Sequence, residues 1–230
     1  MKIVTIHQPE HLSYLGFFHK VTMSDTLVLL DNVRYEKNYF QNRNRVNTSS
    51  GVRFITVPVT NTHTCISEVV IDKNYEYLCK KNIKTIEQAY CKCPYWRKYG
   101  NDFLDVYADY GEHLSLYNER LLKFILNALG IDVDIIKASS LSVTGAKTEL
   151  LASILENVGA DKYISGCSGR EYLELEKMPV PVEFQHFAHP IYTQWGKVEF
   201  QPYMSVIDAL FNVGSSIVDI IKSCNNGKGK

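Results

Sequence analysis

Short apolar runs that stop at polar turns recur along the chain and predict buried strands. The first run, Ile3 to Ile6, stops at His7-Gln8-Pro9, because proline cannot donate to a sheet ladder. The second run, Thr26 to Leu30, stops at Asp31-Asn32. Between them, the apolar residues of Leu12 to Met23 recur at roughly helical spacing. This strand–helix–strand order predicts two parallel strands joined by a right-handed crossover.

The same alternation continues along the chain and predicts an α/β fold. Further strands are predicted at 52–59, 69–71, 133–137, 161–165 and 182–187, and helices at 73–90, 103–129, 149–158 and 204–214. We expect a Rossmann-like three-layer architecture: a mostly parallel sheet, helices on both of its faces and a mainly helical insertion at 73–129. A single domain should span 1–224, followed by a disordered tail at 225–230.

Composition limits the classes of partner. The chain has 25 basic and 25 acidic residues, and this zero net charge argues against nucleic acid or a membrane surface as the main partner. No apolar stretch approaches the roughly 18 residues of a membrane span, and no signal core follows the N-terminus, so we expect a cytoplasmic protein. Among six cysteines only Cys91-Lys-Cys93 approaches a zinc-ligand spacing, and no metal site is predicted. Fifteen tyrosines suit a polar ligand cleft or an interface, and a homodimer is left open.

Polar residues cluster where the predicted strands end. The first strand is followed by His7, Gln8, Glu10 and His11, the second by Asp31 and Asn32, and a later one by Ser165, Gly166 and Gly169. Ligands of open parallel sheets bind beyond the carboxyl ends of the strands, so these clusters predict one binding site. The alternative is that such residues only cap the helices that follow.

The segment 32–45 combines cations, amides and aromatic rings without an apolar period. Its candidate binding residues are Tyr35, Lys37, Asn38, Gln41, Asn42, Arg43 and Arg45. Cations meet phosphate charge, amides bind hydroxyl groups in both directions, and rings stack on a base or a sugar. The segment therefore predicts recognition of a phosphorylated, polyhydroxylated ligand. A plain solvated loop is the alternative, and a short RNA contact is a more distant one.

Several motifs spread over nearly the whole chain resemble the WbqC-like protein family. They are Ile6 to Glu10, Leu15 to Phe18, Leu30 to Val33, Lys37-Asn38 to Arg45, Thr56 to Val59, Tyr163 to Gly166 with Tyr172, and His189-Pro190 through Tyr192 and Gln194 to Ser205 and Asp208. Members of this family are found among genes for bacterial surface polysaccharides, O-antigen in particular. The resemblance therefore implies a pathway rather than a particular reaction.

A weaker resemblance is to nucleotidyltransferases of the HIGH-motif class. In that class a first strand ends in a turn with histidines, and a helix and a second strand follow. Gln8-Pro9-Glu10-His11 and Leu15-Gly16 are similar to this layout. The chain has no His-x-Gly-His sequence, so the resemblance does not extend to the paired histidines of the class.

These observations lead to one working hypothesis, an enzyme that modifies a nucleotide-linked amino sugar by acyl or aminoacyl transfer. His7 would be the general acid or base, with Glu10 or Asp31 orienting it or positioning an amine. Lys37, Arg43 and Arg45 would hold phosphates. The pocket floor would be shaped by Ser165, Gly166 and Gly169 and closed by His189, Tyr192 and Gln194, with Gln8, Asn32 and Tyr172 as further binding residues.

Two other functions remain open from sequence. Nucleotidyl transfer to a small phosphorylated substrate would need magnesium, whereas acyl transfer needs only an acyl or aminoacyl donor. A non-catalytic sugar-nucleotide-binding protein would bind tightly without turnover.

Overall fold

The computed structural model describes residues 1–196 and 199–224. Its strands and helices, in chain order, are β1 (Ile3–His7), α1 (Leu15–Val21), β2 (Thr26–Leu29), β3 (Arg43–Thr48), β4 (Gly51–Thr56), β5 (Val59–Thr60), β6 (Val70–Ile71), α2 (Tyr75–Tyr90), α3 (Trp96–Ala108), α4 (Leu114–Leu129), β7 (Asp134–Lys137), α5 (Thr148–Asn157), β8 (Lys162–Ser165), β9 (Val182–Phe184), α6 (Val206–Val213) and α7 (Ile217–Ser223). The tail expected at 225–230 lies outside the described residues.

A five-stranded parallel sheet organises the fold, with strand order β7-β2-β1-β8-β9. The predicted parallel pairing of the first two strands is confirmed, with Ile6 opposite Val28. The chain first builds outward from β1 through β2 to β7, and then returns to place β8 on the other side of β1. The strand order therefore reverses between β1 and β8, which is where ligands bind in open α/β sheets.

Helices cover both faces of this sheet, as the α/β prediction requires. On one face Val4, Ile6 and Val28 share a core with the apolar side of α5. On the other face Leu27 and Leu29 share a larger core with α1 and α7. Alternate residues of a strand point to opposite faces, so β2 and β7 contribute to both cores. The Rossmann-like three-layer architecture is thus confirmed.

The segment between β2 and β7 carries the helical region and two small hairpins. The pattern at 103–129 predicts one continuous helical region, but the structure divides it between α3 and α4. The break passes through Gly111, whose φ of +65° is the left-handed conformation that glycine tolerates. The predicted strand 52–59 is likewise divided into β4 and β5, and β4 pairs with β3, which begins inside the segment expected to be a loop.

Among the helices of 1–196 and 199–224, none has the length and apolar character needed to cross a bilayer.

Candidate active site

A cleft with two chambers lies at the carboxyl ends of β1 and β8, where the strand order reverses. Its aromatic chamber, about 310 Å³ in volume, is lined by Tyr14, Phe17, Tyr39, Phe40, Tyr203 and Arg45 among others. Its polar chamber, about 720 Å³ in volume, is lined by Gln8, Glu36, Lys147, Tyr163, Tyr172 and Glu174 among others. Both chambers share a wall made of His7, Glu10, Lys20, Tyr39, Gly166 and Ser168. A ligand in either chamber would therefore lie beside the same titratable groups.

Lys20 lies in this shared wall although it is almost fully buried, with 3% of its surface exposed. Every residue of α1 is buried, and the helix carries Lys20 under the end of β1. There the Lys20 ammonium donates to the Ile6 carbonyl at 2.9 Å, and Nζ lies 3.1 Å from His7 Nδ1. Burial lowers the pKa of Lys20 to about 8, partly opposed by Glu10. A buried lysine with a lowered pKa in a cleft is typical of catalytic sites.

His7, the last residue of β1, is held between Lys20 and Glu10. Its Nε2 atom lies 3.3 Å from Glu10 Oε1, and its ring packs against Phe17 in a T-shaped arrangement with centroids 5.0 Å apart. Burial and the Lys20 ammonium lower the pKa of His7, and Glu10 raises it less. Near neutral pH the lysine therefore holds the proton and donates to Nδ1, and a neutral His7 carries its own proton on Nε2, toward Glu10.

Gln41 and Gln8 form a support beneath this wall. Gln41, which is fully buried, donates from Nε2 to Gln8 Oε1 at 2.7 Å and accepts from the backbone N–H of Glu36 at 3.0 Å. Gln8 itself lines the polar chamber. Gln41 therefore positions the turn after β1 from below, and it is Gln8 that faces the ligand space.

The three cations proposed as phosphate ligands lie in different places. Arg45 lines the aromatic chamber. Arg43 donates to the Asn38 carbonyl and stacks over the ring of Phe54 at 4.9 Å. Lys37 lines a separate surface depression together with Tyr35. Of the three, Arg45 is placed to meet a ligand in the cleft.

Several predicted site residues instead hold the framework together. Asp31 accepts from the backbone N–H and hydroxyl of Ser139 at 2.8 and 2.7 Å, which links the ends of β2 and β7. Asn42 donates to the Val57 carbonyl at 2.8 Å. The backbone carbonyl of Asn32 accepts a weak bond from the Cys65 thiol. None of these three residues is among those that line either chamber.

The turn after β8 supplies residues that line the cleft and residues that pack beneath it. Gly166 belongs to the shared wall, and Tyr172 lines the polar chamber. Ser165 is buried below them, and a Cβ at Gly169 would overlap its Oγ atom and come within 3.3 Å of the Phe184 ring. Gly169 therefore permits close packing under the cleft rather than direct contact with a ligand.

The three residues expected to close the pocket act at a distance from it. Tyr192 and Gln194 donate to the buried carboxylate of Asp208, at 2.7 and 2.8 Å. His189 accepts from the backbone N–H of Tyr203 at 3.1 Å, and so holds a residue of the aromatic chamber in place. His11, the last histidine of the first cluster, points into the helical core beside Asn118.

Comparison with known proteins places the chain in a family. A sequence profile of the WbqC-like protein family matches residues 8–220, most of the chain. The chain belongs to the WbqC-like protein family. A relative from Mycobacterium tuberculosis (strain ATCC 25618 / H37Rv), "Uncharacterized protein Rv1507c", is 31% identical over 233 residues, which cover 97% of this chain and 99% of the relative. No solved structure matches the chain.

The cleft of this WbqC-like protein also contains residues that the sequence hypothesis did not include. Lys20 is the main one, and Tyr203 and Gln185 are others. Gln185 donates to the Gly16 carbonyl at 2.7 Å and lies 2.7 Å from His19 Nδ1, which ties the segment after β9 to α1. One local signal pointed to Lys20: a cation in a short helix between two strands predicted to be buried must either reach solvent or serve a buried site.

Proposed function

We propose that this WbqC-like protein transfers an acyl or aminoacyl group to the amine of a nucleotide-linked amino sugar, in the cytoplasm, during bacterial surface-polysaccharide (O-antigen) biosynthesis. One observation carries the reaction type: His7 and Lys20, a pair that can relay a proton, lie in a wall common to two chambers. Group transfer needs two substrates beside one acid–base group, and two chambers that share the wall with His7 and Lys20 can each hold one substrate. The family resemblance supports the pathway.

In the reactive form Lys20 is neutral and accepts a hydrogen bond from His7 Nδ1–H, which leaves the Nε2 lone pair available to the substrate. The neutral amine of the sugar attacks the acyl carbon, and the bond to the donor's leaving group breaks, with the electron pair departing on that group. The amine proton goes to His7 Nε2, and the Nδ1 proton passes to Lys20. Glu10, 3.3 Å from Nε2, is placed to hold the amine beside His7.

The test is a turnover assay with purified protein. UDP- and dTDP-linked amino sugars are combined with acyl-CoA or aminoacyl donors, and the sugar nucleotide is followed by mass spectrometry. We expect a mass increase equal to one acyl or aminoacyl group. His7→Ala should lower kcat by roughly 10²- to 10⁴-fold, the usual contribution of general acid–base catalysis.

His63→Ala is the matched control, because His63 is exposed and lines a depression outside the cleft. Full turnover by His7→Ala would refute the assignment of His7. Tight binding of the sugar nucleotide without turnover of any donor would refute transfer and favour a binding protein.

Nucleotidyl transfer is the second candidate function. It is favoured by the mixed lining of the polar chamber, where Lys20 and Lys147 lie beside carboxylates, because such a lining could take a triphosphate as its magnesium complex. It predicts release of pyrophosphate from a nucleoside triphosphate only in the presence of magnesium. Acyl transfer predicts no pyrophosphate, so a coupled pyrophosphate assay separates the two functions.

A further inference from the structure

We propose that the aromatic chamber binds the nucleoside diphosphate part of the acceptor, with Arg45 as the phosphate anchor, and that the group to be transferred enters through the polar chamber. This inference deepens the proposed function and rests on it for the reaction. The chamber assignment itself can be tested by binding alone. The assignment rests on three observations: the position and unpaired Nε atom of Arg45, the aromatic rings around it, and the net charge of each chamber.

Arg45 is held firmly by its backbone. It lies within β3, opposite Phe54 of β4, and its carbonyl accepts from the backbone N–H of Ser205 at 2.9 Å. Strand pairing on one side and the Ser205 contact on the other fix where its side chain begins. The guanidinium is therefore presented to the chamber from a rigid element, as a specific anion site requires.

Arg45 is half-buried, and its Nε atom is the part of the guanidinium that solvent does not reach. Its Nε atom is shielded from solvent and has no hydrogen-bond acceptor among residues 1–196 and 199–224. Within the same residues, no carboxylate lies within 4.0 Å of it. Arg43, two residues earlier, is satisfied by Asn38 and Phe54. A shielded N–H without an acceptor is unfavourable, and an oxyanion in the chamber would satisfy it in the forked geometry that phosphate allows.

The rings of the chamber provide surfaces for a planar base. Tyr14 and Tyr203 lie 6.3 Å apart at 55°, and Tyr39 and Phe40 lie 5.5 Å apart on the segment before β3. Tyr39 and Tyr203 are 44% and 49% exposed, so a ligand can reach their faces. Bases stack on such rings whatever their sequence identity, and the volume of about 310 Å³ lies in the range of small-molecule sites.

Charge separates the two chambers. In the aromatic chamber Arg45 and Lys20 outnumber Glu10, which leaves one positive charge in excess. In the polar chamber Glu10, Glu36 and Glu174 outnumber Lys20 and Lys147, which leaves one negative charge in excess. A diphosphate is therefore attracted to the aromatic chamber and repelled from the polar one. Its sugar would then extend toward His7 in the shared wall.

The experiment measures binding of UDP and dTDP to the full chain by isothermal titration calorimetry. Arg45→Met removes the charge and keeps the aliphatic stem, and Lys147→Met makes the same type of change in the other chamber. We expect Arg45→Met to raise Kd at least tenfold and Lys147→Met to change it less than threefold. Thermal unfolding of both variants verifies that the fold is intact.

Each remaining outcome counts against the assignment. A larger loss in Lys147→Met would place the nucleotide in the polar chamber. Equal losses in both variants, unchanged affinity in both, or no binding to the unmodified protein would also overturn it. None of these results bears on transfer at His7, which the turnover assay tests separately. Should Arg45→Met destabilise the chain, Arg45→Lys is the second variant, because it keeps the charge but loses the fork and should raise Kd by a smaller factor than loss of the charge.

Discussion

The Nζ atom of Lys20 lies 3.1 Å from Nδ1 of His7, so the two bases compete for one proton. Both groups are buried side by side, and burial lowers the pKa of both. The charge therefore rests on Lys20 near neutral pH and leaves it as the pH rises through about 8. This relationship links the geometry of the cleft to a measurable pH dependence.

If the pair relays a proton, turnover should rise as the pH passes about 8, where buried Lys20 becomes neutral. Lys20→Arg keeps a permanent cation, because the guanidinium does not deprotonate in this range. We expect this variant to lose roughly 10²-fold in kcat and to lose the rise near pH 8. Lys123→Arg, on the exposed side of α4, is the control. A variant that keeps both its rate and its pH profile would show that Lys20 serves only as a fixed cation.

Buried His11 should make the protein less stable in mild acid. Burial lowers the pKa of His11 from 6.5 to about 4, so the unfolded chain binds this proton first as the pH falls. The loss of stability begins as the pH falls through 6.5, grows until about pH 4, and totals roughly 3 kcal/mol. Urea unfolding of the protein and of His11→Gln across this range measures it. The prediction fails if both proteins lose the same free energy of unfolding.

The carboxylate of Asp208 joins three elements in the helical core. It accepts from the hydroxyls of Tyr90 and Tyr192 at 2.9 and 2.7 Å, and from Gln194 Nε2 at 2.8 Å. Asp208→Asn turns part of this acceptor into a donor, and bonds to a charged acceptor contribute about 1.5–3 kcal/mol each. We expect a loss of about 3 kcal/mol or more in the free energy of unfolding. Asp219→Asn, which alters an exposed carboxylate on α7, should be nearly neutral; equal effects would contradict the role given to Asp208.

Because Gly16 has no side chain, the ring of Tyr14 can pack against it and form part of the wall of the aromatic chamber. A Cβ at this position would lie 2.5 Å from the ring of Tyr14, so Gly16→Ala should displace that ring. We expect Kd for UDP or dTDP to rise several-fold while the melting temperature changes little, since alanine favours the helix. Gly100→Ala makes a similar overlap with Trp96, on α3 outside the cleft. If both variants weaken binding equally, the effect comes from general strain.

Much of the fold could be predicted from local pattern. The apolar runs at Ile3 and Thr26 predicted paired parallel strands, and the structure contains them in that pairing. Apolar periodicity depends on near neighbours along the chain, so it can be recognised in the sequence without knowledge of the fold. The break at Gly111 was harder to place, because apolar residues continue on both sides of it and the left-handed turn decides the boundary.

The membership of the site depended on tertiary structure. Sequence placed His7, Glu10 and Gly166 at strand ends, and the strand order brings these ends together. It could not separate Arg45 from Arg43, because both belong to the same polar segment and only the packing around them differs.

By itself, then, the sequence determined the α/β class, the ends of β1 and β2, and the family of this protein. The tertiary structure alone decided that Lys20 lies beneath His7 and that Tyr192 and Gln194 bind Asp208 in the helical core. The physical reason is the distance along the chain over which each kind of interaction acts. Periodicity and turn chemistry act over a few residues, whereas the convergence of side chains far apart in the chain depends on strand order and packing.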